Sequence, residues 1–137
     1  MAANSFPTGT PVPKQVRMKT ATVARTDTTA KQLFTLPKTA RLVDVQLYAT
    51  VASNAVTTAT VGVGSTTGAT EFVNNADVKT AAGLIRPTTL MGGLYATATS
   101  DVAVYGKYAE TGGASNNGAW KVTLFYSTGN ITNDDTL

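Results

Sequence analysis

The sequence predicts an all-β protein: a two-sheet β-sandwich of about seven to eight short strands, jelly-roll-like in order, with an extended N-terminal arm. Three observations carry this. Arg41 to Val51 and Ala119 to Ser127 alternate apolar and polar residues with a period of two. Shorter runs of the same kind recur at roughly regular spacing, punctuated by Gly, Asn and Pro. Only Phe72 to Ile85 leaves room for a helix. Two packed sheets let every strand bury one side, and the long connections favour Greek-key or jelly-roll order over a meander.

Along the chain, residues 1–14 hold Pro7, Pro11 and Pro13 among Thr, Ser and Gly, the composition of an extended arm without packing of its own. Residues 15–129 form the expected sandwich, and 130–137 a flexible tail. Val16 to Ala24 sets Val16, Met18, Thr20 and Thr22 against Arg17 and Lys19, so the basic side is expected to be the wet one. "RTDTTAK" is a turn, because Asp and Thr side chains bond nearby backbone groups in competition with a ladder. "QLFTL" is a second strand, stopped by Pro37.

In Arg41 to Val51, parity places Val43, Val45, Leu47, Ala49 and Val51 on the core face and Leu42, Asp44, Gln46, Tyr48 and Thr50 on the other. "TTATVGVG" follows, with Ala59, Val61 and Val63 on one side. The glycines Gly62, Gly64 and Gly68 are wrongly spaced for a dinucleotide fingerprint, and no Gly-Lys-Ser/Thr follows for a phosphate loop, so Gly64 to Thr70 reads as a tight turn. Asn75 to Ala82 is either a short helix or a loop crossing between the sheets. "LYATAT", "DVAVYGKYA" and "AWKVTLFYS" are the remaining strands. The last sets Trp120, Val122, Leu124 and Tyr126 against Lys121, Thr123, Phe125 and Ser127.

A chain of 137 residues suffices for one domain with its own core. It contains no cysteine, so packing or partners must supply its stability. The N-terminus lacks the apolar core of a signal peptide, and no window approaches a membrane span. The expectation is a chain made and folded in a cytoplasm, with no membrane partner.

Only 14% of residues are charged, against about 25% in an ordinary soluble domain, while about a third are Thr or Ala. A surface so short of charge is either covered by other protein or is a neutral, hydroxyl-rich β surface. The net charge of +3 is concentrated early, where Lys14, Arg17, Lys19, Arg25, Lys31, Lys38 and Arg41 are accompanied by Asp27 alone. These cations are spaced along strands without clustered aromatics to stack bases, which argues against nucleic acid and for solvated faces or an acidic protein partner.

With neither His nor Cys, the chain lacks the commonest general base, metal ligand and thiol nucleophile. Its eight acidic residues are scattered, without calcium-loop spacing, so neither an enzyme nor a cofactor or metal site is expected. Tyr95, Tyr105, Tyr108, Trp120 and Tyr126 could stack on sugar, but Trp120 and Tyr126 share the parity of Val122 and Leu124 and read as packing. Asn130, Ile131 and Thr132 match a glycosylation acceptor, which is expected to stay unmodified without secretion.

Thr20 to Ala55, "TATVARTDTTAKQLFTLPKTARLVDVQLYATVASNA", resembles the small structural proteins of tailed bacteriophages: a Thr-Asp-Thr-Thr-Ala-like turn, then Leu-Phe-x-Leu-Pro-Lys-x-Ala, then an alternating strand. The resemblance covers about the first 55 residues well and the second half in style only. It implies a capsid decoration (cement) protein on the virion surface. Its implied partners are the major capsid protein and copies of itself, as a homotrimer on the analogy of cement proteins at shell threefold positions. The contact residues then expected are Phe6, Pro7, Pro11, Pro13, Lys14, Arg17 and Lys19. A head-fibre or tail component recognising host surface carbohydrate is the alternative.

Overall fold

A computed structural model describes residues 15–38, 40–79, 83–85 and 100–128. Within them the chain forms eight strands: β1 (Gln15–Ala24), β2 (Lys31–Leu36), β3 (Arg41–Val51), β4 (Thr58–Gly64), β5 (Val73–Asp77), β6 (Gly83–Ile85), β7 (Val102–Thr111) and β8 (Ala119–Thr128). They lie in two antiparallel four-stranded sheets, β1-β8-β3-β6 and β2-β7-β4-β5. The pairings β1·β8, β2·β7, β3·β6 and β4·β5 are nested, as if one long hairpin had been rolled over on itself. Rolling adds β3·β8 and β4·β7 and closes the expected jelly-roll-like sandwich. The expected arm (1–14), the tail (130–137) and the "LYATAT" strand lie outside the described residues. Of the two readings left open for Asn75 to Ala82, a crossing between the sheets is the one that fits, since β5 and β6 belong to different sheets. A helix starting at Asn75 is not formed there, because Val73–Asp77 pairs with β4.

The core lies between the sheets. Val45, Leu47, Val61, Val63, Val104, Val122 and Leu124 are its aliphatic centre, and Trp120 and Tyr108 are its largest fully buried side chains. These two rings stack at 4.9 Å with 17° between planes, an arrangement worth about 0.5–1.5 kcal/mol beyond the area buried. The alternation read in β8 is borne out: Trp120, Val122, Leu124 and Tyr126 are all buried.

Two parities differ from the sequence expectation. In β3, Leu42 is fully buried, while Val43 and Val51 are 44% and 46% exposed. The ladder with β8 shifts register between Leu42 and Asp44 and again between Ala49 and Val51. A bulge inserts one residue against none opposite, so strict alternation holds only from Asp44 to Ala49. In β1, Val16 and Met18 are 61% and 64% exposed, and Arg17 and Lys19 share the parity of the buried Val23. The cations tolerate that position because β1 is an edge strand: Lys19 Nζ reaches out to donate to Thr35 O of β2 at 3.0 Å. Lys31 answers from β2, donating to Thr22 O of β1 at 3.3 Å, so the open side between the two edge strands carries a lysine at each rim.

Candidate docking surface

The acidic residues show what this scaffold does with its ionisable groups. Each of the six described carboxylates accepts a backbone N–H: Asp27 from Ala24, Asp44 from Val45, Glu71 from Thr70, Asp77 from Lys79, Asp101 from Lys38 and Glu110 from Ser115. Five of them are staples that pin turns, loops or strand ends, and Asp44 lies beside the bulge in β3. Among the described residues no three His, Cys, Asp or Glu side chains come together as a metal cluster would require.

Glu110 belongs to the most developed of these staples. Its carboxylate accepts from the Tyr108 hydroxyl at 2.7 Å and from Ser115 N at 3.1 Å, and Tyr108 Oη also lies 2.8 Å from the buried Ser53 hydroxyl. The Ser115 and Tyr108 hydrogen bonds hold Glu110 below the usual carboxylate range. Burial, with the Glu110 charge adding to it, pushes the Tyr108 hydroxyl up. Beside this network, Asn54 accepts from Asn116 N and Asn117 N, and Arg25 N donates to Gly118 O. The end of the sandwich carrying the β1–β2, β3–β4 and β7–β8 connections is therefore cross-tied.

At the other end, Gln15 of β1 pairs with Thr128 of β8. The return into β7 is there too, with Lys38 N donating to Asp101 at 3.0 Å.

The two outer sheet faces also differ. Over the β2-β7-β4-β5 sheet the chain lies on itself: the 65–71 loop crosses β4 so closely that a Cβ at Gly62 would meet the Ala69 carbonyl, and one at Gly64 would lie 2.8 Å from both Thr70 N and Glu71 N. That close approach is the physical reason for the glycines read as a turn signal. Glu71 pins the loop through Thr66 Oγ1 and Thr70 N. Its partial burial raises the carboxyl pKa, but these hydrogen bonds outweigh that and leave it lowered.

No such covering lies over the β1-β8-β3-β6 sheet among the described residues. Register lays its outer side chains in four rows: Val16–Ser127–Arg41, Met18–Phe125–Asp44, Thr20–Thr123–Gln46, and Thr22–Lys121–Tyr48–Leu84. The central row is hydroxyl-rich, with Thr20 and Thr123 Oγ1 3.2 Å apart. In the first two rows Val16, Met18 and Phe125, with the bulged Val43, form an apolar patch at the end where Gln15 pairs with Thr128. Sequence reasoning missed this patch, because it assigned Val43 to the core and set Val16 and Met18 opposite the wet basic side.

Of the expected contact residues, Phe6, Pro7, Pro11, Pro13 and Lys14 lie outside the described residues. Arg17 is exposed on β1, and Lys19 is engaged with Thr35. Among the aromatics considered for sugar, Tyr108, Trp120 and Tyr126 are buried, Tyr105 is half-buried and Tyr95 lies outside the described residues. The most exposed tyrosine among the described residues is Tyr48, at 50%, which the parity argument had placed on the outer face of β3.

No protein-family model and no curated protein matches the chain. Among solved structures, it is similar to a chain of the Cyanophage Pam1 capsid asymmetric unit, with 22% identity and a TM-score of 0.68, covering 93% of this chain and 95% of that one. It is also similar to a chain of the acidic stable capsid structure of Helicobacter pylori bacteriophage KHP30, with 21% identity and a TM-score of 0.60, covering 84% and 93%. At these identities the likeness is one of fold.

Proposed function

We propose that the protein is a structural component of a bacteriophage virion, specifically a decoration or cement protein that binds the outer surface of the head and stabilises the shell. The observation that carries this is the reciprocal coverage: two phage-capsid structures each contain a chain matched over more than nine-tenths of its own length. The likeness is thus to whole small chains rather than to a module within a larger one. The scarcity of surface charge and the use of most described carboxylates as staples support a binding role without catalysis.

In this reading the partner is the major capsid protein, engaged through residues 1–14 and the early cations, and three copies associate about a shell threefold position. Symmetry then multiplies a modest contact through avidity. Co-sedimentation of the purified protein with undecorated capsids tests it. Saturation at a fixed ratio of copies to shell subunits, lost on deletion of residues 2–13, is the expected result. A well-folded protein that leaves capsids bare, and instead binds glycans, would overturn it in favour of a fibre or tail role.

A further inference from the structure

We propose that the shell-facing surface is the apolar patch of Val16, Met18, Val43 and Phe125 on the outer β1-β8-β3-β6 face, and that it docks on an apolar patch of the shell subunit rimmed by carboxylates. This rests on the capsid reading above. Met18 and Phe125 are cross-strand partners, Val16 is one row away, and the bulge at Val43 lifts a third aliphatic side chain out beside them. Val16, Met18 and Val43 are 61%, 64% and 44% exposed, the state of side chains awaiting a partner rather than of a finished outer face.

Three further observations choose the occupant. β1 begins at Gln15, the residue next to Val16, so the segment 1–14, which the capsid reading assigns to the shell, is joined to the chain beside the patch. The opposite sheet is overlain by its own loop at Gly62 and Gly64, whereas no loop among the described residues overlies this one. The patch also has Arg41 in its first row, with Lys121 further along β8 on the same face. The one carboxylate in these rows, Asp44, already accepts from Val45 N and Gln46 Nε2. With Asp44 so engaged, Arg41 and Lys121 are the charges this face offers a partner. A carboxylate-rimmed patch pairs with the same cations favourably.

The test titrates undecorated capsids with the parent protein, Met18→Glu, Met18→Thr and Thr67→Glu, the last placing a charge on the loop over the opposite sheet. Native folding of each is confirmed by Trp120 fluorescence, and Met18→Thr retains a strand-favouring residue in case the charge alone disturbs β1. We expect Met18→Glu to weaken binding tenfold or more, Met18→Thr to weaken it less, and Thr67→Glu to bind as the parent does. If the parent binds and both Met18 variants bind equally well, the patch is not the docking face, while the capsid reading stands. If the parent itself does not bind, the capsid reading falls and this inference with it. If Met18→Glu instead dissociates the free protein into smaller species during sedimentation, the face is an interface between copies, and the proposal is overturned.

Discussion

At the scale of single residues, the fold depends on a few groups with no freedom to change. Gly64 is one, because a methyl there must displace the backbone of Thr70 and Glu71. Gly64→Ala is expected to cost about 1–3 kcal/mol, as overpacking does, seen as a lower urea midpoint in the fluorescence of the single tryptophan. Tyr108 is another, since its hydroxyl serves Ser53, Glu110 and Ser115 together. Tyr108→Phe should cost about 1–2 kcal/mol by leaving buried serine hydroxyls short of a partner, with the ring stack on Trp120 intact. Glu71 and Glu110 have carboxyl pKa values lowered from 4.5 in the fold, so the unfolded chain binds their protons more readily. Their contribution is complete only well above pH 4.5, the unfolded value, and is lost as pH falls through the lowered values. The urea midpoint should therefore drop between pH 5 and pH 3, and Glu110→Gln should drop less over that interval. Equal slopes for parent and variant would contradict this role for Glu110.

At the scale of elements, most strands were legible in the sequence because burial on one side of a sheet imposes a period of two, and β7 and β8 keep it without interruption. What was illegible follows from two physical causes. A bulge is a property of a strand pair, so the switches at Val43 and Val51 cannot be found in β3 alone. Charge also does not fix facing at an edge: Lys19 looked like solvent-exposed polarity, yet its parity is that of Val23, and its amine caps a carbonyl on the neighbouring sheet. The candidate surface was hidden for the same reasons, since Val16, Met18 and Val43 were all misassigned and only Phe125 had been set on the outer face. The lysine rims predict a specific outcome. Replacing Lys19 and Lys31 by Ala should change stability by less than about 1 kcal/mol, as for exposed polar contacts, but should promote edge-to-edge association detectable by light scattering. A double variant as monodisperse as its parent would show that these lysines do not guard the edge.

At the scale of the whole molecule, the sandwich is asymmetric in two directions. One end is tied across three connections and the other holds the Gln15–Thr128 pair, while one sheet face is overlain by its own loop and the other has no such covering among the described residues. An asymmetric module of this kind suits a protein that meets a large surface with one corner and leaves the rest in solvent, as a shell-binding protein would. In the proposed role such binding reinforces the shell, and calorimetry of undecorated capsids with increasing amounts of the protein measures this most directly. The capsid melting transition should move upward and stop moving once the sites are filled, because a ligand of the intact shell stabilises it by mass action. A transition that stays in place with the capsids fully occupied would contradict it.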